Sequence, residues 1–207
     1  MVFKLNKFLI LLVYFLASLY LQSEESLVVK NEYKPVVNEI IEILDQNHFK
    51  KNIVINEQKV IDNFLVNIDK EKIVFTSVEF NSYKARFKNI YNLEEIFKIY
   101  QDYSDRTLAL ISHQKEVVDL IDTSADLNTT EFVEKNREDE KRFNSLDSIK
   151  NYHALLIKNE FINILLSNDN FENSKSKLLK RLKNRVKSLK RIKSDDIFSL
   201  YINSITS

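Results

Sequence analysis

An all-α, multi-helix fold is predicted by three observations. Apolar residues recur at spacings of three and four along most of the chain, the period of a helix with one buried face. Residues that accept hydrogen bonds from free backbone N–H groups stand just ahead of several of these runs. The single proline, Pro35, falls at the start of such a run, where a helix tolerates it best.

Taken in order, residues 1–23 read MVFKLNKFLILLVYFLASLYLQS, with Lys4 and Lys7 ahead of an apolar stretch, residues 8–21, broken only by Ser18. This is the layout of a secretory signal-peptide helix: a short positive region, then an apolar run too short for a comfortable membrane span. Ala17, Ser18 and Ser23 are the small residues available for cleavage. Cleavage near Ser23 is the favoured reading and leaves residues 24–207 as a soluble exported body. The alternative is an uncleaved inner-membrane anchor, because no clean A-x-A site is present. Either way the body lies across the inner membrane.

After Pro35, Val36, Ile40, Ile43 and Leu44 fall on one helical face. Asn56 can cap EQKVIDNFLVNI, in which Val60, Ile61, Phe64, Leu65 and Ile68 recur at helical spacing. Thr76 and Glu79 have the spacing of a capping box ahead of FNSYKARFKNIY. A long amphipathic run extends from Leu93 to about Ile121 through Ile96, Phe97, Tyr100, Tyr103, Leu110 and Val117, and TSADLNTT then reads as a loop. Thr130 is expected to cap a charged helix, EFVEKNREDEKRF. DSIKNYHALLIKNEFINILL reads as a strongly apolar helix and SNDNFENS as a loop. Ser174 is expected to cap a basic helix with Leu178, Leu182, Val186, Leu189 and Ile192 on its inner face. Ser194 is expected to cap the last helix, where Asp195 and Asp196 favour the positive N-terminus. No internal repeat or low-complexity linker divides the body.

Charge is uneven along the chain. The net charge is +1, yet residues 175–207 carry ten basic and two acidic residues, leaving 21 basic and 28 acidic in residues 1–174. An acidic body is followed by a basic tail. Displayed on a free surface, such a tail would bind phosphate with strong salt dependence. The apolar stripe within it says instead that one face is buried, and the acidic body is the nearer counter-charge.

Composition excludes several chemistries. Average usage of about 7% would give roughly 14 glycines in a chain of this length, and there are none. A Walker loop, a dinucleotide fingerprint and a G-x-S-x-G nucleophile elbow all need glycine and are excluded. With no cysteine, disulfides, thiol nucleophiles and Cys-type zinc sites are excluded as well. His48, His113 and His153 are far apart and form no metal-binding pair, so each reads as an ordinary helix residue. Glu131 and Glu134, with Glu138, Asp139 and Glu140, could supply paired carboxylates or metal ligands. Among Arg137, Lys141 and Arg142 they read better as a solvated, ion-paired face. Tyr100 and Tyr103 favour packing over a stacking platform. No catalytic, cofactor-binding or metal residue is assigned, and no cofactor is expected.

Three stretches together resemble the N-terminal domain of the tail-specific, or C-terminal processing, proteases of the bacterial periplasm. NHFKKNIVINEQKVIDNFLVNIDKEKIVFTSVEF is similar to the family's His-aromatic pair, its helix ending in a Tyr-Leu-x-x-Leu-Asp-like turn, and the acidic helix start that follows. Here Asn63 to Asp69 fill the turn, and Glu79 stands where the family usually has Asp. YHALLIKNEFINILL resembles a Trp-x-x-x-Val-Lys-x-Glu-Leu helix, with Tyr152 in place of Trp. LLKRLKNRVKSLKRIKSDDIFSLYINSITS resembles a basic Arg-Tyr-x-x-x-x-Arg-Leu helix and the Ser-Glu-Asp-Val-Phe helix after it. The resemblance covers essentially all of residues 24–207.

In that family the last helix runs on to an Asp-Pro-His-Thr segment, a PDZ domain and a protease domain with a Ser nucleophile and a Lys base. This sequence stops at Ser207, before that segment, and none of the matching positions is catalytic in the family. The resemblance therefore implies a non-catalytic helical module, a truncated or split-gene product acting in protein–protein interaction or in walling the substrate-handling region. The implied partners are a separately encoded PDZ/protease remainder or an envelope protein. Nucleic acid is not expected as a partner, and membrane contact is expected only through the signal segment. The alternatives are a stand-alone exported helical adaptor and a binder of anionic surfaces through the basic helix.

Overall fold

The computed structural model describes residues 27–47, 55–122, 133–134, 136–167 and 170–207. The expected signal segment, the loop TSADLNTT, His48 and Glu131 lie outside the described residues. Among those described there are seven helices and no strand: α1 (Tyr33–Asn47), α2 (Glu57–Ile68), α3 (Ser77–Arg86), α4 (Leu93–Leu120), α5 (Leu146–Leu166), α6 (Phe171–Leu189) and α7 (Ser194–Thr206). The chain is all-α, as its periodicity predicts.

Helix starts follow the cap chemistry. The Asn56 side chain accepts from the Lys59 N–H at 3.1 Å at the start of α2. Thr76 and Glu79 form the expected reciprocal box at α3, with distances of 3.3 and 2.9 Å. Each such cap satisfies a backbone donor that the first helical turn leaves without a partner, and is worth about 1 kcal/mol.

Three local expectations are corrected. First, α6 starts earlier than Ser174: Asn170 caps it by accepting from the Asn173 N–H at 2.8 Å. Phe171 joins the helix because its ring packs edge-on against Phe161, 5.3 Å between centroids. Ser174 lies buried inside the helix, its hydroxyl donating back to the Asn170 carbonyl. Second, Ser194 is the first residue of α7 rather than its cap. The Lys193 N–H is held by Asp196 Oδ2 at 2.9 Å, which leaves the Ser194 hydroxyl to accept from the Val28 N–H at 3.0 Å. Third, residues 136–145 are turn and irregular backbone, not a helix. Their side chains are engaged with other elements, in contacts a continuous helix would not allow.

Helix α4, 28 residues and about 42 Å long, joins two hydrophobic cores. Its N-terminal part packs with α1, α2, α3 and α7 around Phe64, Leu65, Leu93, Ile96 and Tyr201, all fully buried. Its C-terminal part packs with α5 and α6 around Val118, Ile157, Phe161, Leu178 and Leu182. Burying each such side chain stabilises by about 1.5–3 kcal/mol. On α1 the buried anchors are Tyr33 and Val37, while Ile43 is exposed.

α7 closes the first core by lying antiparallel to α2. The Asn63 amide donates to the Ser204 carbonyl at 3.3 Å and the Lys59 ammonium to the Ser207 carbonyl at 3.0 Å. In the second core, α6 runs back along α4: the Lys175 ammonium caps the end of α4 by donating to the Asp119 and Ile121 carbonyls, both at 3.0 Å. A cation at that point also complements the negative end of the helix dipole.

Candidate functional site

A turn after α2, residues 69–76, adds Val74 and Phe75 to the first core and is bonded to α5 through His153, and Asp69 organises it. One carboxylate oxygen accepts from the N–H groups of Ile73 and Val74 at 2.9 and 3.2 Å, the other from Phe75 at 3.1 Å. Arg142 forms an ion pair with the same carboxylate and donates to the Asp69 carbonyl at 3.3 Å. Both side chains are buried, 1% and 8% exposed. A buried charge pair is tolerable only with its remaining lone pairs satisfied, and here three backbone donors do so. Within the turn Lys72 has φ 58°, a left-handed position where glycine is usual. With no glycine in the chain, Lys72 takes it at a cost of about 1–2 kcal/mol. Its ammonium donates to the carbonyls of Glu138 and Glu140, fastening residues 136–145 over the turn.

That fastening explains the missing helix. Besides Arg142, the Arg137 N–H donates to Glu71 at 2.8 Å, and the Arg137 guanidinium sits over Phe143, 4.0 Å from its centroid. The acidic residues expected to form an ion-paired face are divided. Glu138 pairs with Lys70 at 2.7 Å, and Glu134 accepts from the Asn136 N–H at 3.4 Å.

His153, two turns into α5, also reaches this turn. Its Nε2 lies 3.1 Å from the Ile73 carbonyl and its Nδ1 3.1 Å from Gln114 Nε2 on α4. A carbonyl only accepts, so Nε2 carries the proton and Nδ1 accepts from the amide. Burial holds the imidazole below its ordinary value, against the opposing pull of the Ile73 bond. His113 is half-buried and lies 3.8 Å from Glu116. No group of three His, Cys, Asp or Glu among the described residues is placed to hold a metal.

Beside His153 a groove of about 750 Å³ follows the line between the two cores. α4 contributes Tyr100, Tyr103 and Ile111, α5 contributes Leu156, and α6 contributes Arg181, Arg185 and Leu189. Burial pushes the Tyr100 phenol up to about 12 and raises Tyr103 as well, so both are neutral at physiological pH. The two tyrosines thus pack, as expected, but they also wall a concavity. On the outer side of α6, Lys180, Lys183 and Lys187 are exposed and lie within one face by helical spacing, opposite the buried Leu178 and Leu182, and Arg191 is exposed in the turn just after the helix.

Sequence reasoning missed Asp69, Arg142 and His153 as a constellation. Asp69 ends a helix, Arg142 sits in a charged run and His153 is a lone histidine; only the fold brings them to one turn.

Residues 40–207 match the family described as Tail specific protease N-terminal domain. The tail-specific protease of Haemophilus influenzae is 24% identical over 170 residues, which cover 78% of this chain and 24% of that protein. The chain thus spans about a quarter of the length of this relative. Among the described residues no helix is long and apolar enough to cross a membrane. With its helices, caps and basic α6 in the order the resemblance implies, and a match running from residue 40 to residue 207, the chain belongs to the tail-specific protease N-terminal domain family.

Proposed function

We propose that residues 24–207 form a non-catalytic helical module of a periplasmic C-terminal processing protease, exported by a signal peptide at residues 1–23. The module works by protein–protein contact, walling the substrate-handling region or docking an envelope partner, while other residues, on this polypeptide or another, supply the PDZ and Ser/Lys protease parts. The observation that carries this reading is the match to the family's N-terminal domain on a body whose regular elements, among the described residues, are all helices. The fold supports it: the long helix α4 and the Asp69–Arg142 junction hold two cores in a fixed relation, as a wall requires.

Co-purification tests the proposal. Residues 24–207 are expected to capture a PDZ/protease chain from an intact relative or from the same envelope. A stably folded chain that binds neither the protease part nor any envelope protein would overturn it.

A second reading, an anionic-surface binder, draws on the exposed row Lys180, Lys183, Lys187 and Arg191, which make no ion pair among the described residues. It predicts salt-sensitive binding to anionic vesicles that is lost on Lys183→Glu with Lys187→Glu.

A further inference from the structure

The groove between the cores is polarised along its length. One end is walled by Tyr100, Tyr103 and Ile192, the other by Gln114, Arg181 and Arg185. From Tyr100 to Gln114 helix α4 rises about 21 Å, the reach of an extended chain of a dozen or more carbons. Ile111, Leu156 and Leu189 supply an apolar lining between the ends.

The polar end has surplus positive charge. Arg181 and Arg185 both reach one carboxylate, Glu160, at 3.1 and 2.7 Å. Two guanidiniums share a single anion, and among the described residues no Asp or Glu lines the groove itself. His153 is held neutral by burial and donates its one N–H away to the turn. The volume falls within the range of about 300–1,000 Å³ typical of small-molecule sites, which are likewise mostly apolar with a few convergent polar groups.

We propose that this groove binds a single-headed anionic amphiphile, a long-chain carboxylate, with its chain along Tyr100, Tyr103, Ile111 and Leu189 and its head at Arg181 and Arg185. Charge complementarity selects this occupant over a cationic or neutral amphiphile of equal length. Glu160 then acts as a competitor, holding the two guanidiniums until a ligand carboxylate shares them. This assignment is independent of whether the domain contacts a protease.

The test uses laurate below its micelle concentration, read by calorimetry on the unmodified chain and by fluorescence of Ser188→Trp, a reporter on the groove rim in a chain that has no other Trp. Laurate is expected to bind and dodecyltrimethylammonium to bind at least tenfold more weakly. Each added methylene in a carboxylate series should raise affinity about fourfold until the groove is filled. Arg181→Gln with Arg185→Gln should weaken laurate at least tenfold, and Glu160→Gln should tighten it, an outcome a purely structural role for Glu160 would not produce. These side chains are solvent-accessible, so the variants are expected to fold. Equal binding of the cationic and anionic amphiphiles, no response to monomeric laurate, or binding only to anionic vesicles would overturn the proposal. So would loss of protease-chain capture on Leu156→Trp in a chain that ignores laurate, since the groove would then belong to a protein partner.

Discussion

The two ends of α4 reach the same end, a buried core, by different means. Around its N-terminal part the core is rich in aromatic side chains and built from distant sequence. Tyr33 stacks on Phe198 with centroids 4.0 Å apart, and the Tyr201 hydroxyl donates to the Ile90 carbonyl at 2.6 Å. Around its C-terminal part the core is mainly aliphatic and the partners are successive helices, α5 and α6, with Glu160 bridging to Arg181 and Arg185 at the surface. Directional bonds thus specify the region whose pieces must find each other across the chain. Helical periodicity carries more of the specification where the pieces are neighbours, and there the polar contacts, Glu160 with Arg181 and Arg185 and Lys175 at the end of α4, lie largely at the surface. The Asp69 turn couples the two.

The coupling is the part most easily broken. Arg142→Ala leaves the Asp69 carboxylate buried without its counter-charge and is expected to cost about 3–5 kcal/mol, seen as a lower denaturant midpoint. A loss no larger than that of a surface substitution would mean the turn does not hold the cores together.

Next in size is Leu182→Ala, expected to cost about 2–5 kcal/mol by leaving a cavity among α4, α5 and α6. If the cores differ as described, amide exchange should accelerate in α5 and α6 more than in α2 and α7. Uniform acceleration would show one cooperative core rather than two coupled ones.

Tyr201→Phe keeps the ring and removes one hydroxyl. It is expected to cost about 1–3 kcal/mol, because the buried Ile90 carbonyl loses its donor, and to act on the first core alone.

The smallest effect depends on pH. His153 has a folded value below its ordinary 6.5, so the unfolded chain takes up a proton first as pH falls. Its contribution is fully present above 6.5 and is lost as pH falls from there through the lowered folded value. His153→Gln should flatten the pH dependence of the thermal midpoint across that window. An unchanged slope would place the titration elsewhere.

Much of the fold is legible in the sequence because helix periodicity and caps are local. Val60, Ile61, Phe64, Leu65 and Ile68 declare the inner face of α2, and Thr76 with Glu79 declares the start of α3. The sequence misleads where charge dominates. Arg137, Glu138 and Arg142 sit at spacings a helix would welcome, yet their partners are Glu71, Lys70 and Asp69 on the turn after α2, a tertiary arrangement no local rule contains. Ser194 is a similar case: a good cap by type, it serves Val28, 166 residues away. The groove was equally hidden, because Tyr100, Leu156 and Arg185 meet only once three helices are packed.

The proposed function gives these residues structure and contact and leaves the chemistry to a protease part. Its most direct test is a peptide-cleavage assay on purified residues 24–207, alone and together with a PDZ/protease chain of the family. Hydrolysis is expected only when the second chain is present. Turnover by residues 24–207 alone, abolished by a point mutation within them, would contradict the account.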